Sequence, residues 1–321
     1  MPHIAYLVGI SSVACLLMGR SPYLTFVAAV IWGVSLIIGG YYLNGKYLAL
    51  VFGLNLIILY GLTGSSGLFY ALGFFGMPSF LMGYRLGRYQ NGYYQLRKWG
   101  LVTAVLSVSL FLALAYNIGE IQITTLQTEF ENYMHQGLFG SGDTNILKVY
   151  EEQGVSQEEV KNSIKLVARG LIMHLPALYY LQAMAIVLII LSLSAYYCRR
   201  RNLPILIKRP FSEEVMPWQF AWGLILGLSL WLWGRDELTT WYYTGSNLLV
   251  IIAMVTVYFG LSSLAYRWQI MNPNTKRWAL ILFIGASLAF TLPAIIFIGF
   301  LGLFDSLLDY RKVRFKKEDT K

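Results

Sequence analysis

The 321-residue chain is 57% hydrophobic and 13% charged, with a mean hydropathy of +0.56. That is too little charge to clothe a soluble domain, and the apolar residues come in long blocks instead of amphipathic stripes, which leaves a polytopic membrane protein. The net charge of +9 sits in short loops and in the tail with no nucleic-acid-binding motif, so it reads as topology signal meeting anionic headgroups and excludes nucleic acid as a partner.

Taken in order, the apolar segments fall at roughly 4–19, 23–43, 47–64, 67–85, 99–118, 168–198, 218–234, 244–267 and 278–308. Several hold only about 16–18 residues, short for a span at 1.5 Å per residue, so close packing through small residues is expected. "SSVAC", ending at Cys15, is faintly like a lipoprotein cleavage site but lacks a basic n-region, and 4–19 reads as a retained first helix. Cys15 and Cys198 have neither metal-ligand nor redox spacing, and no disulfide is expected between them.

In the fourth segment Gly73, Gly76 and Pro78 weaken the helix, which is expected to kink or unwind locally. Arg85, Arg88, Arg97 and Lys98 follow without an acid, and Arg199, Arg200, Arg201, Lys208 and Arg209 mark a second basic loop. Both are predicted to be cytoplasmic, as is the N-terminus. The acid-rich stretch 119–167 between them belongs outside, with a glycine-rich loop and then a helix opened by a capping box at Ser156 and Glu159. That helix is expected to run into the sixth span, kinked at Pro176.

The linker 199–217 carries three prolines and is expected along the cytoplasmic membrane surface. It separates a six-helix bundle, 1–198, from a smaller helical part, 218–321. An unbroken last segment would put the basic tail outside, so 278–308 is expected to break at Pro293 into a short hairpin that returns it to the cytoplasm. The fold class is therefore all-α, a transmembrane bundle of about nine apolar segments.

The ending "LGLFDSLLDYRK", the linker "RPF" followed by "MPW", and the fourth span "YALGFFGMPSFLMGYRLGRYQNG" resemble the YybS-like family of bacterial membrane proteins, whose function is unassigned. The N-terminal part of that family is similar to the substrate-binding subunits of energy-coupling-factor vitamin transporters. The resemblance implies a six-helix bundle that takes a small molecule from outside and docks on a transmembrane coupling protein serving an ATPase module. It implies docking through a small-xxx-small pair in the first helix, which Ala5 and Gly9 supply. Those subunits normally lack an extension like 218–321.

No catalytic constellation is visible. His3, His135 and His174 have no metal-ligand spacing, and there is no phosphate-binding loop, so neither enzymatic activity nor a cofactor is expected. Polar residues at membrane depth are the candidates that remain. In the outer half these are Asn55, Asn117, Arg169, His174 and Gln182, with Tyr60 and Tyr70 and the neighbouring Tyr179 and Tyr180. They could line a pocket for a small polar aromatic ligand, or Asn and Gln could stitch helices while Tyr forms the interfacial belt. Asp305 and Asp309 stand one helical turn apart at the cytoplasmic end. They read as a charged knot at the bundle rim with Arg85, Arg88 or Arg267, or as a docking site for a partner. The functional readings are a small-molecule binding or uptake component and a non-transporting membrane scaffold.

Overall fold

A computed structural model describes residues 2–89, 92–118, 125–130, 132–133, 156–203, 205–235, 239–308 and 311. Most of the acidic segment, His135 and Asp309 lie outside these residues. The described chain is helical with no strand, and it divides into two compact units, Met1–Ile207 and Lys208–Lys321. The division falls inside the proline-bearing stretch 199–217. Six helices are long and apolar enough to cross a membrane, and Tyr6–Arg20 and Phe220–Trp233 are shorter apolar helices.

The first unit holds α1 (Pro2–Arg20), α2 (Thr25–Tyr42), α3 (Gly45–Ala71), a π-helical turn (Leu72–Gly76), α4 (Met77–Tyr89), α5 (Tyr93–Ile118), α6 (Gln157–Met173) and α7 (Leu175–Arg200). The long helical run 45–89 is two passes. In a straight helix Phe52 and Phe80 would be about 42 Å apart, yet their rings stack with centroids 4.6 Å apart. The reversal is at Gly64, with φ 69° and ψ −166°. That backbone conformation is essentially open to glycine alone. A Cβ at Gly64 would meet nothing within 4 Å, so Gly64→Ala should cost about 1–3 kcal/mol through backbone strain alone. Thermal unfolding of the variant, with Gly61→Ala as an unstrained control on the same helix, checks this.

The weakened fourth segment becomes a π-helical turn, in which the Met77 N–H donates to the carbonyl of Leu72 five residues back. Pro78 has no N–H for the Phe74 carbonyl, so the ordinary register cannot hold there. The Gly73 carbonyl accepts from Ser107 Oγ of α5 at 2.6 Å, so a neighbouring helix satisfies a group that the turn displaces. Just beyond it, α2 and α4 touch backbone to backbone. A Cβ on Gly40 would fall inside the Gly83 carbonyl, one on Gly83 inside that of Leu36, and one on Gly87 inside that of Gly40.

The capping box forms, with the Glu159 N–H donating to Ser156 Oγ at 3.3 Å and the Ser156 N–H to Glu159 Oε2 at 2.9 Å. The expected continuous helix is in fact two, α6 and α7. They part at His174 (φ −99°, ψ 2°), and Pro176 lies in the first turn of α7. A proline is accommodated there because the first-turn N–H groups have no helical acceptor, so the break precedes the ring.

The second unit holds α8 (Phe220–Trp233), α9 (Thr240–Ile270), α10 (Pro273–Ala289) and α11 (Thr291–Leu308). α9 is central, packing against both α8 and α11. Gly260 and Gly302 permit the closest approach: a Cβ on either would strike the carbonyl of Ile298 or Thr256 across the α9–α11 contact. The last apolar block is divided at Phe290, and Pro293 is the third residue of α11, again just past the break.

Candidate functional site

The residues expected in the outer half do not converge. Tyr70 and Gln182 meet, with Gln182 Nε2 donating to Tyr70 Oη at 2.7 Å, and Tyr180 Oη lies 2.7 Å from Ser109 Oγ. Around Tyr70 the space is filled by Phe74, Phe111 and Tyr179, with ring centroids 4.6 to 6.2 Å apart. Asn117 donates to the carbonyl of Ala113 in its own helix and is exposed. Tyr60 and Arg169 are exposed as well, and His174 Nδ1 is 2.7 Å from the Gly170 carbonyl.

Asn55 belongs to a different place. It is fully buried, and Ser12 Oγ of α1 donates to its Oδ1 at a long 3.4 Å. Its Nδ2 has no hydrogen-bond partner among the described residues, and the same holds for Trp32 Nε1 of α2 and Ser79 Oγ of α4, both also fully buried. The three lie on α3, α2 and α4, helices that pack on one another. The Trp32 ring stacks on Phe52 with centroids 6.0 Å apart, and Asn55 is one turn further along α3. Gly76, at the end of the π-helical turn, lies against the Trp32 and Phe52 rings. Ser79 Oγ abuts Gly33, the residue after Trp32.

An unbonded buried polar group costs about 1–3 kcal/mol. Three on adjoining helices, near a π-helical turn of a kind that recurs at functional sites, are an arrangement that packing alone does not favour. Asn55 was legible as a polar residue at membrane depth. Trp32 and Ser79 were not: a tryptophan in an apolar helix reads as core, and nothing in a sequence reports whether its N–H is bonded.

In the second unit Asp305 is buried and ion-paired to Arg311, whose Nε donates to Asp305 Oδ2 at 2.8 Å and whose Nη2 contacts the same oxygen. Arg311 Nη1 also donates to the Ser212 carbonyl at 2.6 Å, and Nη2 to the Glu214 carbonyl at 2.9 Å. Ser262 Oγ of α9 lies 2.7 Å from the carbonyls of both Phe211 and Glu214, and Tyr258 Oη donates to Glu214 Oε2 at 2.7 Å. The "RPFSEE" stretch is thus tied to the "GLFD…DYRK" ending by one guanidinium. The cation on Asp305 is therefore Arg311, which sequence reasoning did not single out. Arg85 and Arg88 instead lie on aromatic rings within the first unit.

At α1, Gly9 lies on an apolar groove lined by Tyr6, Ile10, Val13 and Leu17 together with Ile31 of α2, and a Cβ at Gly9 would meet nothing within 4 Å. Ala5 precedes it by one turn.

Apolar helices in number, glycine-mediated backbone contacts and polar groups held inside the bundle define a polytopic α-helical membrane protein. The chain belongs to the DUF2232 family of predicted membrane proteins, whose model matches residues 9–306. No curated protein and no solved structure matches it.

Proposed function

We propose that this protein is a small-molecule binding or uptake component of a bacterial cytoplasmic membrane, of the YybS-like kind and similar to a vitamin-transporter substrate subunit. The observation that carries the reading is the set of buried, unbonded donors at Asn55, Trp32 and Ser79. Two donors from Asn and Trp beside stacked Phe52 and Trp32 suit a flat ligand with acceptor atoms. The bulk of protein around Tyr70 and Gln182 moves the candidate site inward, toward α2, α3 and α4. The open Gly9 groove on α1, with Ala5 four residues before it in the sequence, suits a helix of a coupling protein. Both termini are cytoplasmic in this reading, from the basic loops.

The second reading is a non-transporting scaffold that recruits partners through 199–217 and the tail, including Asp305 and Asp309. It is favoured by the Arg311 knot, which holds Ser212 and Glu214 of the linker by their carbonyls.

Extraction of small molecules from the purified protein, with identification of any membrane protein or ATPase that co-purifies, separates the two. The uptake reading expects one dominant molecule stoichiometric with the chain. A ligand-free preparation that retains only soluble partners supports the scaffold and sinks the uptake reading.

A further inference from the structure

The corner where α4 gives way to α5 carries a second, independent arrangement. Arg85 lies over the Trp99 ring at 3.9 Å and over Tyr89 at 5.2 Å, and Arg88 approaches the same Tyr89 ring at 5.6 Å. Arg88 Nη1 also donates to Tyr84 Oη at 2.6 Å. Two guanidinium groups therefore share one aromatic ring. Residues 1–119 and 160–207, which hold all the helices packed around this corner, contain no Asp or Glu to balance the charge of the two guanidinium groups. Arg85 Nε is buried with no hydrogen-bond partner among the described residues. The start of α3 is at the same end, since Gly45 abuts the Tyr84 ring, and it adds Lys46 to the positive set.

The chemistry of this corner selects its occupant. A guanidinium resting on an aromatic face keeps its in-plane N–H edge for acceptors, and that edge matches two phosphate oxygens. Like charges held together without a carboxylate are stabilised by an anion between them. The aromatic collar of Tyr84, Tyr89 and Trp99 is what a chain presents at the level of lipid headgroups. We infer that the Arg85–Arg88 corner is a binding site for the phosphodiester headgroup of an anionic phospholipid, held by the forks of both arginines, whose charge disfavours a headgroup that carries its own cation.

Native mass spectrometry of the full chain tests this after reconstitution in nanodiscs of phosphatidylcholine alone or mixed with phosphatidylglycerol. Phosphatidylglycerol is expected to stay bound through delipidation and phosphatidylcholine to leave. Arg85→Lys with Arg88→Lys keeps the charge but loses the fork and the stacking, and should lower retention about tenfold, the loss of one good charge-assisted contact. Arg88→Lys alone alters only an exposed side chain and so reports even where the double variant is unstable; it should move retention in the same direction. Equal retention of the two lipids, or Lys variants that hold phosphatidylglycerol as well as the parent, would overturn the site. Displacement of the lipid by inorganic phosphate would assign the corner to a free anion and overturn it too.

Discussion

Replacing Arg311 by methionine is expected to destabilise the second unit by about 3–5 kcal/mol, the usual consequence of stranding one partner of a buried ion pair. The carboxylate of Asp305 would be left inside without its cation, and the carbonyls of Ser212 and Glu214 would each lose a donor. The double variant Arg311→Met with Asp305→Leu removes the stranded charge and should recover part of the loss. It should not recover all of it, because the two carbonyls remain unserved by Arg311. Unfolding of the full chain in detergent micelles measures both. A double variant as stable as the parent would mean that the linker carbonyls contribute nothing. Since the knot joins residues 211–214 to residue 311, its loss should also expose the linker to proteolysis near Arg209 and Pro210 while the first unit stays folded.

The second large effect is expected where α2 and α4 meet. A Cβ on Gly40 or on Gly83 has backbone in its way, and backbone cannot turn aside as a side chain can. Gly40→Ala and Gly83→Ala should each cost about 1–3 kcal/mol by forcing the helices apart. Because Gly40 and Gly83 face one another, the first substitution makes room for the second, and the pair should cost less than the sum. Gly53→Ala is the control: a Cβ there meets nothing within 4 Å, and helix propensity alone predicts a gain of up to roughly 1 kcal/mol. Thermal unfolding of the four variants checks the ranking.

What the sequence made legible was whatever has a local cause. Hydropathy marked an all-helical membrane protein, though six helices and not nine are long and apolar enough to cross a membrane among the described residues; Ser156 and Glu159 announced a helix start, and Gly73, Gly76 and Pro78 a weak turn. The breaks at His174 and Phe290 fall two and three residues before Pro176 and Pro293. A proline ring clashes with the turn before it yet fits the first turn of a new helix, which sets that displacement.

What was not legible depends on rotation about helix axes and on distant contacts. Depth in the membrane grouped Asn55 with Tyr60, Asn117 and Arg169, but depth says nothing of azimuth, and these side chains point to different surroundings. Arg311 reads as one more basic residue after the last span. Its partner is six positions back, outside helical i+3 and i+4 spacing, and its other acceptors are in a linker about a hundred residues earlier.

The central claim is that the unbonded donors at Asn55, Trp32 and Ser79 are kept for a ligand, and Asn55→Leu tests it most directly. Leucine keeps the branched four-atom outline of the side chain and removes a buried amide that the fold leaves half served. Native mass spectrometry and thermal unfolding of wild type and variant should together show a bound small molecule lost from the variant, whose ligand-free form unfolds at a higher temperature. A variant that is less stable than the ligand-free parent, or that carries the same bound molecule, would contradict the account.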